Sequence, residues 1–140
     1  MNFWAATEAF QPAYPATRAC RESVEPYLNA AFEKSSLAIL DCKLRYIPII
    51  MPSGMREQYP ARSRLRRKER IFDCAPQLDY EVFVSGSFEQ QLAEYLHGVA
   101  SSAPHLVELG ATAEQVRDFQ EILSGAVERI LLERPHQTRH

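Results

Sequence analysis

Glycine is scarce in this chain, with five in 140 residues; cysteine is scarcer at three, and tryptophan occurs once. The cysteines, Cys20, Cys42 and Cys74, are odd in number and far apart, with no C-x-x-C pair and no nearby histidine. That pattern argues against a disulfide framework or a zinc set and for three reduced, mostly buried small hydrophobes. No stretch approaches the roughly 18 consecutive apolar residues of a membrane span. The longest greasy run, Arg45 to Met51, is strand-sized and interrupted by Pro48. The opening MNFWAATEAF lacks a basic n-region and carries Glu8, so no export signal is expected and the expected location is cytoplasmic. An excess of either charge is missing too: a net charge of −2 and a pI near 6.1 argue against a wholly basic nucleic-acid binder.

What is present suits one soluble domain. Hydrophobic content is 46% and charged content 24%, and a chain of this size buries roughly two-thirds of the surface its unfolded form exposes. A single domain over residues 1–132 is expected, with 133–140 a fraying tail. Phe3, Trp4 and Phe10 give the first dozen residues enough aromatic area to dock on the core. Between Ala16 and Lys34, Cys20, Val24, Tyr27, Leu28, Ala31 and Phe32 recur at helical spacing. Pro26 predicts a break near residues 22–26, because proline removes a donor and biases Glu25 away from helix.

From Leu37 the period changes to two. Leu40, Cys42, Leu44 and Tyr46 alternate with Asp41, Lys43 and Arg45, which predicts a half-buried strand ending near Pro48. A loop from Pro52 to about Pro60 follows. Arg66–Cys74 and Leu78–Val84 are the next strand candidates, joined as a hairpin through Ala75, Pro76 and Gln77. Ser87 with Gln90, and Thr112 with Gln115, are capping-box pairs ahead of helices from about 88 to 101 and from 113 onward. The stripe of the last helix is Ala113, Val116, Phe119, Leu123, Ala126, Val127, Ile130 and Leu131. The expected fold is α+β: a three-stranded or slightly larger antiparallel sheet with N- and C-terminal helices packed on it.

Charge is strongly segregated: residues 1–36, 37–76 and 77–140 carry net charges of −1, +5 and −6. Arg56, Arg62, Arg64, Arg66, Arg67, Lys68 and Arg70 form a basic segment able to grip phosphates. Only Tyr59 and Phe72 are near enough to stack a base, so a solvated edge strand is the simpler reading and nucleic acid the less favoured partner. The acidic side holds Asp79 and Glu81 on a strand, Glu89 and Glu94 on the next helix, and Glu114, Asp118, Glu121 and Glu128 along one stripe of the last. Each is explained by a solvated surface, yet together they resemble a phosphate backbone and suit a basic protein partner. On the strand reading Phe83 shares the solvent face of Asp79 and Glu81 and is a candidate anchor; Tyr80 and Tyr95 are further candidates, Tyr95 the better core residue.

Catalytic patterns are thin. Asp41 and Lys43 share a strand face like half of a metal-nuclease hairpin, but the second carboxylate is missing. His97 and His105 lack ligands at metal spacing, and Ser85-Gly86-Ser87 reads as a turn and helix cap. Neither a catalytic residue nor a metal or other cofactor is expected. The block LDCKLRYIPIIMPSG, with RRKERIFDCAPQLDYEVFVSGSFEQQLAEYLHGV after it, resembles the immunity proteins of bacterial toxin systems, in particular contact-dependent growth inhibition. The resemblance spans most of residues 37–132. It implies a small cytoplasmic protein without enzymatic activity that binds and blocks a cognate toxin domain, often a nuclease with a basic site, in a one-to-one complex. It transfers no residue roles, so the expected toxin-binding set is Asp79, Glu81, Phe83, Glu89, Glu114, Asp118 and Glu121, read from charge. The alternative is a nucleic-acid-binding module on residues 56–70, with Arg64, Arg66, Arg67 and Lys68 at its centre.

Overall fold

The computed structural model describes residues 14–37, 43–46, 49–52, 54–55, 58 and 62–137. Phe3, Trp4, Phe10, Leu40, Asp41, Cys42, Arg56 and Tyr59 lie outside them, so the docking expected of the N-terminal aromatics and the pairing of Asp41 with Lys43 do too. Helix α1 spans Tyr14–Lys34 without interruption, and Pro26 sits inside it. The predicted break is absent because Pro26 and Glu22 both lie on the exposed side. There the Glu22 carbonyl, deprived of its partner four residues on, can turn to water. Val24 and Ala31 face the core instead.

Among the described residues five short strands follow: β1 Lys43–Tyr46, β2 Ile49–Met51, β3 Arg62–Arg66, β4 Ile71–Ala75 and β5 Gln77–Asp79. The antiparallel meander expected from short links is not formed. β4 lies between β1 and β3, antiparallel to β3 but parallel to β1, while β2 and β5 make a separate parallel pair. Lys43 faces Ile71 and Ile49 faces Gln77, a separation of 28 residues in both ladders. The two ladders therefore keep one register across a break, and the Ile49 N–H donates to the Pro76 carbonyl at 2.8 Å. Pro76 stands at this break, where a missing donor interrupts a ladder.

The hairpin is displaced from its predicted place. Its turn is Arg67–Arg70, closed by the Arg70 N–H on the Arg67 carbonyl at 3.2 Å, with Arg70 at a φ of 52°. Ala75 to Gln77, expected to turn, carries the chain straight from β4 to β5. The predicted strand Leu78–Val84 stops at Asp79, and Tyr80–Ser85 is a helix, α2. Asp79 drives that switch as N-cap: its Oδ1 accepts from the Glu81 and Val82 N–H groups at 2.9 and 3.4 Å. Its Oδ2 accepts from the Gly54 N–H at 3.0 Å, which ties the loop after β2 to the same carboxylate.

Helix α3, Phe88–Ser102, has the predicted capping box, Ser87 and Gln90 exchanging bonds of 2.8 and 3.1 Å. A 3-10 helix, Ala103–Leu109, ends at Gly110, whose φ of 99° suits a residue without Cβ. Helix α4 spans Ala113–Gln137 and opens on the predicted Thr112–Gln115 box, with bonds of 2.9 and 3.0 Å. It continues beyond residue 132 into the segment expected to fray.

The core lies between the helices and the inner sheet face. Cys20, Val24 and Ala31 of α1, Leu92, Tyr95, Leu96 and Val99 of α3, and Phe119, Leu123 and Ala126 of α4 join Phe72, Cys74 and Leu78 of the strands. Phe32 and Phe119 meet with ring centroids 5.1 Å apart and tilted by 59°. Gly98 lets α3 approach the β4–β5 junction: a Cβ there would lie 2.9 Å from Leu78, 3.1 Å from Pro76 and 3.2 Å from the Gln77 carbonyl. At the far end of the predicted α4 stripe Leu131 is 40% exposed, and Ala113 at its start is exposed as well.

Candidate functional site

The switch from strand to helix after Asp79 rearranges the predicted recognition face. In a strand Phe83 would alternate outward with Asp79 and Glu81; in α2 each residue turns about 100° from the last. Phe83 is buried at 3% exposure, so it does not share a solvent face with Asp79 and Glu81. Val84, next to it in the chain, is 54% exposed, and Phe88 just past the Gly86 corner is 45% exposed. Nearby in the chain, Glu81 is exposed and Glu89 half-buried. Tyr80 is half-buried, and Tyr95 is a core residue. Burial pushes the Tyr95 phenol up, against an opposing pull from Arg21 and with a smaller push from Cys20.

Among the other acidic candidates, Asp79 is engaged in the two structural roles already described. Glu94 accepts from the Asp79 N–H at 3.3 Å through Oε1. On α4, Glu114, Glu121 and Glu128 are exposed and Asp118 is half-buried, as the stripe predicts. The acidic residues therefore do not collect in one pocket. They border the helical side of the molecule, from the α2–α3 corner to the outer face of α4.

The basic residues converge more tightly than the sequence indicates. Alternation places Arg62, Arg64 and Arg66 of β3 on the outer sheet face, opposite Ala75, Asp73 and Ile71 of β4. The parallel pairing of β1 adds Lys43 and Arg45, opposite Ile71 and Asp73. Lys43, Arg45, Arg62 and Arg64 are exposed and Arg66 is half-buried. At the centre, Asp73 is 9% exposed. Its carboxylate accepts from Arg45 Nε at 2.7 Å and from Arg45 Nη2 at 3.2 Å, a two-pronged grip. Arg66 Nε lies 3.4 Å from Oδ2 but is not aligned to donate, and this buried nitrogen has no hydrogen-bond acceptor. Arg67, Lys68 and Arg70 extend the cationic surface into the turn, all of them exposed.

On the inner side of β3, Ser63 Oγ lies 2.7 Å from His105 Nδ1 and donates to Glu108 Oε2 at 3.0 Å. A hydroxyl has one proton, so with that proton on Glu108 the serine accepts from His105. A serine nucleophile requires the opposite arrangement, with the base accepting from the hydroxyl and the acid orienting the base. The trio clamps β3 to the 3-10 helix. Sequence reasoning missed it because 42 residues separate Ser63 from His105. Of the cysteines, Cys20 and Cys74 are described and buried: burial pushes Cys20 up to about 11, and burial with Asp73 and Glu108 nearby pushes Cys74 up to about 12, which keeps both as thiols at neutral pH. Among the described residues no three His, Cys, Asp or Glu side chains stand together as metal ligands, and no helix is long and apolar enough to cross a membrane.

Surfaces of opposite charge around a helix-and-sheet core define a small α+β protein. The sequence profile of the family described as Immunity protein 44 matches residues 1–132, and the chain belongs to that family, consistent with an immunity protein of a polymorphic toxin system. Membership implies a cognate toxin as partner. No curated protein and no solved structure matches the chain.

Proposed function

We propose that this protein neutralises a cognate toxin domain by forming a tight one-to-one complex with it in the cytoplasm, acting by occlusion and not by catalysis. The reading rests on the family match over residues 1–132. The toxin is a nuclease of a contact-dependent growth inhibition system, a choice favoured by the acidic helical side, which complements a basic nucleic-acid-binding cleft. Within the complex Val84 and Phe88 are the apolar anchors, and Glu81, Glu89, Glu114, Asp118 and Glu121 the acidic surround. Such an arrangement has the apolar centre and polar rim of a stable interface, which needs about 800 Å² from each partner. Asp79 contributes by holding α2 in place, and Phe83 by packing beneath it.

The test is co-expression with the toxin domain encoded beside the gene, scored for capture of a one-to-one complex and for rescue of growth. Capture and rescue are expected from the wild type. Both are expected to weaken in a Val84→Ser/Phe88→Ser variant that still melts cooperatively. Rescue without any complex would overturn the occlusion reading.

A further inference from the structure

The outer face of the β1–β4–β3 sheet has a composition unlike that of a protein-binding surface. Protein interfaces deplete charge at their centre and place apolar side chains there. Here the centre is Asp73, with Ile71 and Ala75 as its only apolar neighbours on β4, and Lys43, Arg45, Arg62, Arg64 and Arg66 surround it. The grid is regular: same-face residues on one strand are about 6.8 Å apart, and β1 lies about 10 Å from β3. Asp73 fixes Arg45 through two bonds and pairs with Arg66 at 3.4 Å, so part of the array is held in position. Four of the five cations are arginines, whose forks match paired phosphate oxygens. The described residues of this face include no exposed aromatic ring on which an unpaired base could stack.

From this array we infer a second binding surface, for the phosphate backbone of a nucleic-acid duplex, contacted without reading its bases. The parallel pairing of β1 carries the argument, because it brings Lys43 and Arg45 beside the basic segment and widens a single edge strand into a two-sided array. Arg67, Lys68 and Arg70 in the exposed turn extend the track beyond the sheet. The surface is separate from the helical side assigned to the toxin, so the two readings stand or fall apart.

The experiment measures retention of labelled double-stranded RNA and double-stranded DNA by the purified full chain, each in two unrelated sequences, across a salt series. If all five sheet cations meet phosphates, affinity falls roughly 500-fold between about 50 and 200 mM salt, with little difference between sequences. An Arg62→Gln/Arg64→Gln variant, chosen to leave the Asp73 ion pairs intact, lowers the slope of log affinity against log salt by about two. An Arg67→Gln/Lys68→Gln variant, confined to the exposed turn, also weakens binding, whereas Glu114→Gln/Glu121→Gln does not. Thermal melts of each variant confirm folding. RNA and DNA arms that differ in strength but share the salt slope still support the backbone reading and select the duplex. Absence of retention at low salt, affinity confined to one sequence, or loss of toxin capture alone in the arginine variants would each overturn it.

Discussion

Phe83 and Val84 are adjacent, yet one is 3% and the other 54% exposed, and the difference follows from a carboxylate four residues upstream of Phe83. With Asp79 capping α2, the side-chain period changes from two to 3.6 and the two residues exchange environments. Phe83→Ala is therefore expected to cost about 3 to 5 kcal/mol in urea unfolding, while Val84→Ala stays within about 0.5 kcal/mol. Equal losses would put the helix assignment in doubt. Cys20 and Cys74 give a second residue-level expectation. Burial pushes their thiols up from the ordinary value of 9.0, to about 11 for Cys20 and about 12 for Cys74. Below pH 9 both states keep the proton and stability is unaffected; above it the unfolded chain loses protons that the folded chain retains. Stability should fall as pH rises from 9 toward 11 and beyond, with Tyr95 adding to the loss above its ordinary value of 10. Urea midpoints across that range test it. At pH 8, iodoacetamide with peptide mapping should leave both cysteines unmodified until the protein is unfolded.

Helices α3 and α4 were legible from sequence because their signals are local: a capping pair three residues apart, then an apolar stripe. The sheet was not, because its order depends on partners 28 residues apart that no short-range pattern encodes. Alternation correctly predicted that Lys43 and Arg45 face outward but could not say which strand lay beside them. The candidate site shows the same division. Glu114, Glu121 and Glu128 are exposed and Asp118 half-buried on α4, whereas Phe83 is buried where alternation put it outward, and no short-range pattern announced the exposure of Val84 and Phe88 or the Ser63–His105–Glu108 clamp. Gly98 was missed as well, since a lone glycine inside a helix carries no sign of what passes beside it. Gly98→Ala improves helix propensity, yet its Cβ must displace the Gln77 carbonyl or the Pro76 ring. The expected outcome is a net destabilisation of about 1 to 3 kcal/mol, read by denaturant titration. A stabilised variant would mean that α3 sits farther from the strands than described.

Across the described residues, a modest net charge of −2 for the chain conceals two poles: cations on the outer sheet face, carboxylates on the helices. Long-range attraction at the acidic pole raises encounter rates more than it slows dissociation. Glu114→Lys/Glu121→Lys should therefore lower the on-rate for the toxin domain several-fold at low salt and change the off-rate little. Surface plasmon resonance at two ionic strengths checks this, with the difference expected to shrink near 0.15 M, where exposed charges are screened beyond about 8 Å. The ladder of constant 28-residue offset has a further consequence, for the order in which the chain assembles. Its strands cannot zip from a tight turn, because closing so long a loop costs entropy before any pairing returns it. The β3–β4 hairpin, joined by the four residues Arg67–Arg70, has no such cost. Folding should begin there and in the helices, with β1 and β2 arriving last. The basic face would then be completed only in the final step, leaving partly folded chains without the grid that the native sheet presents.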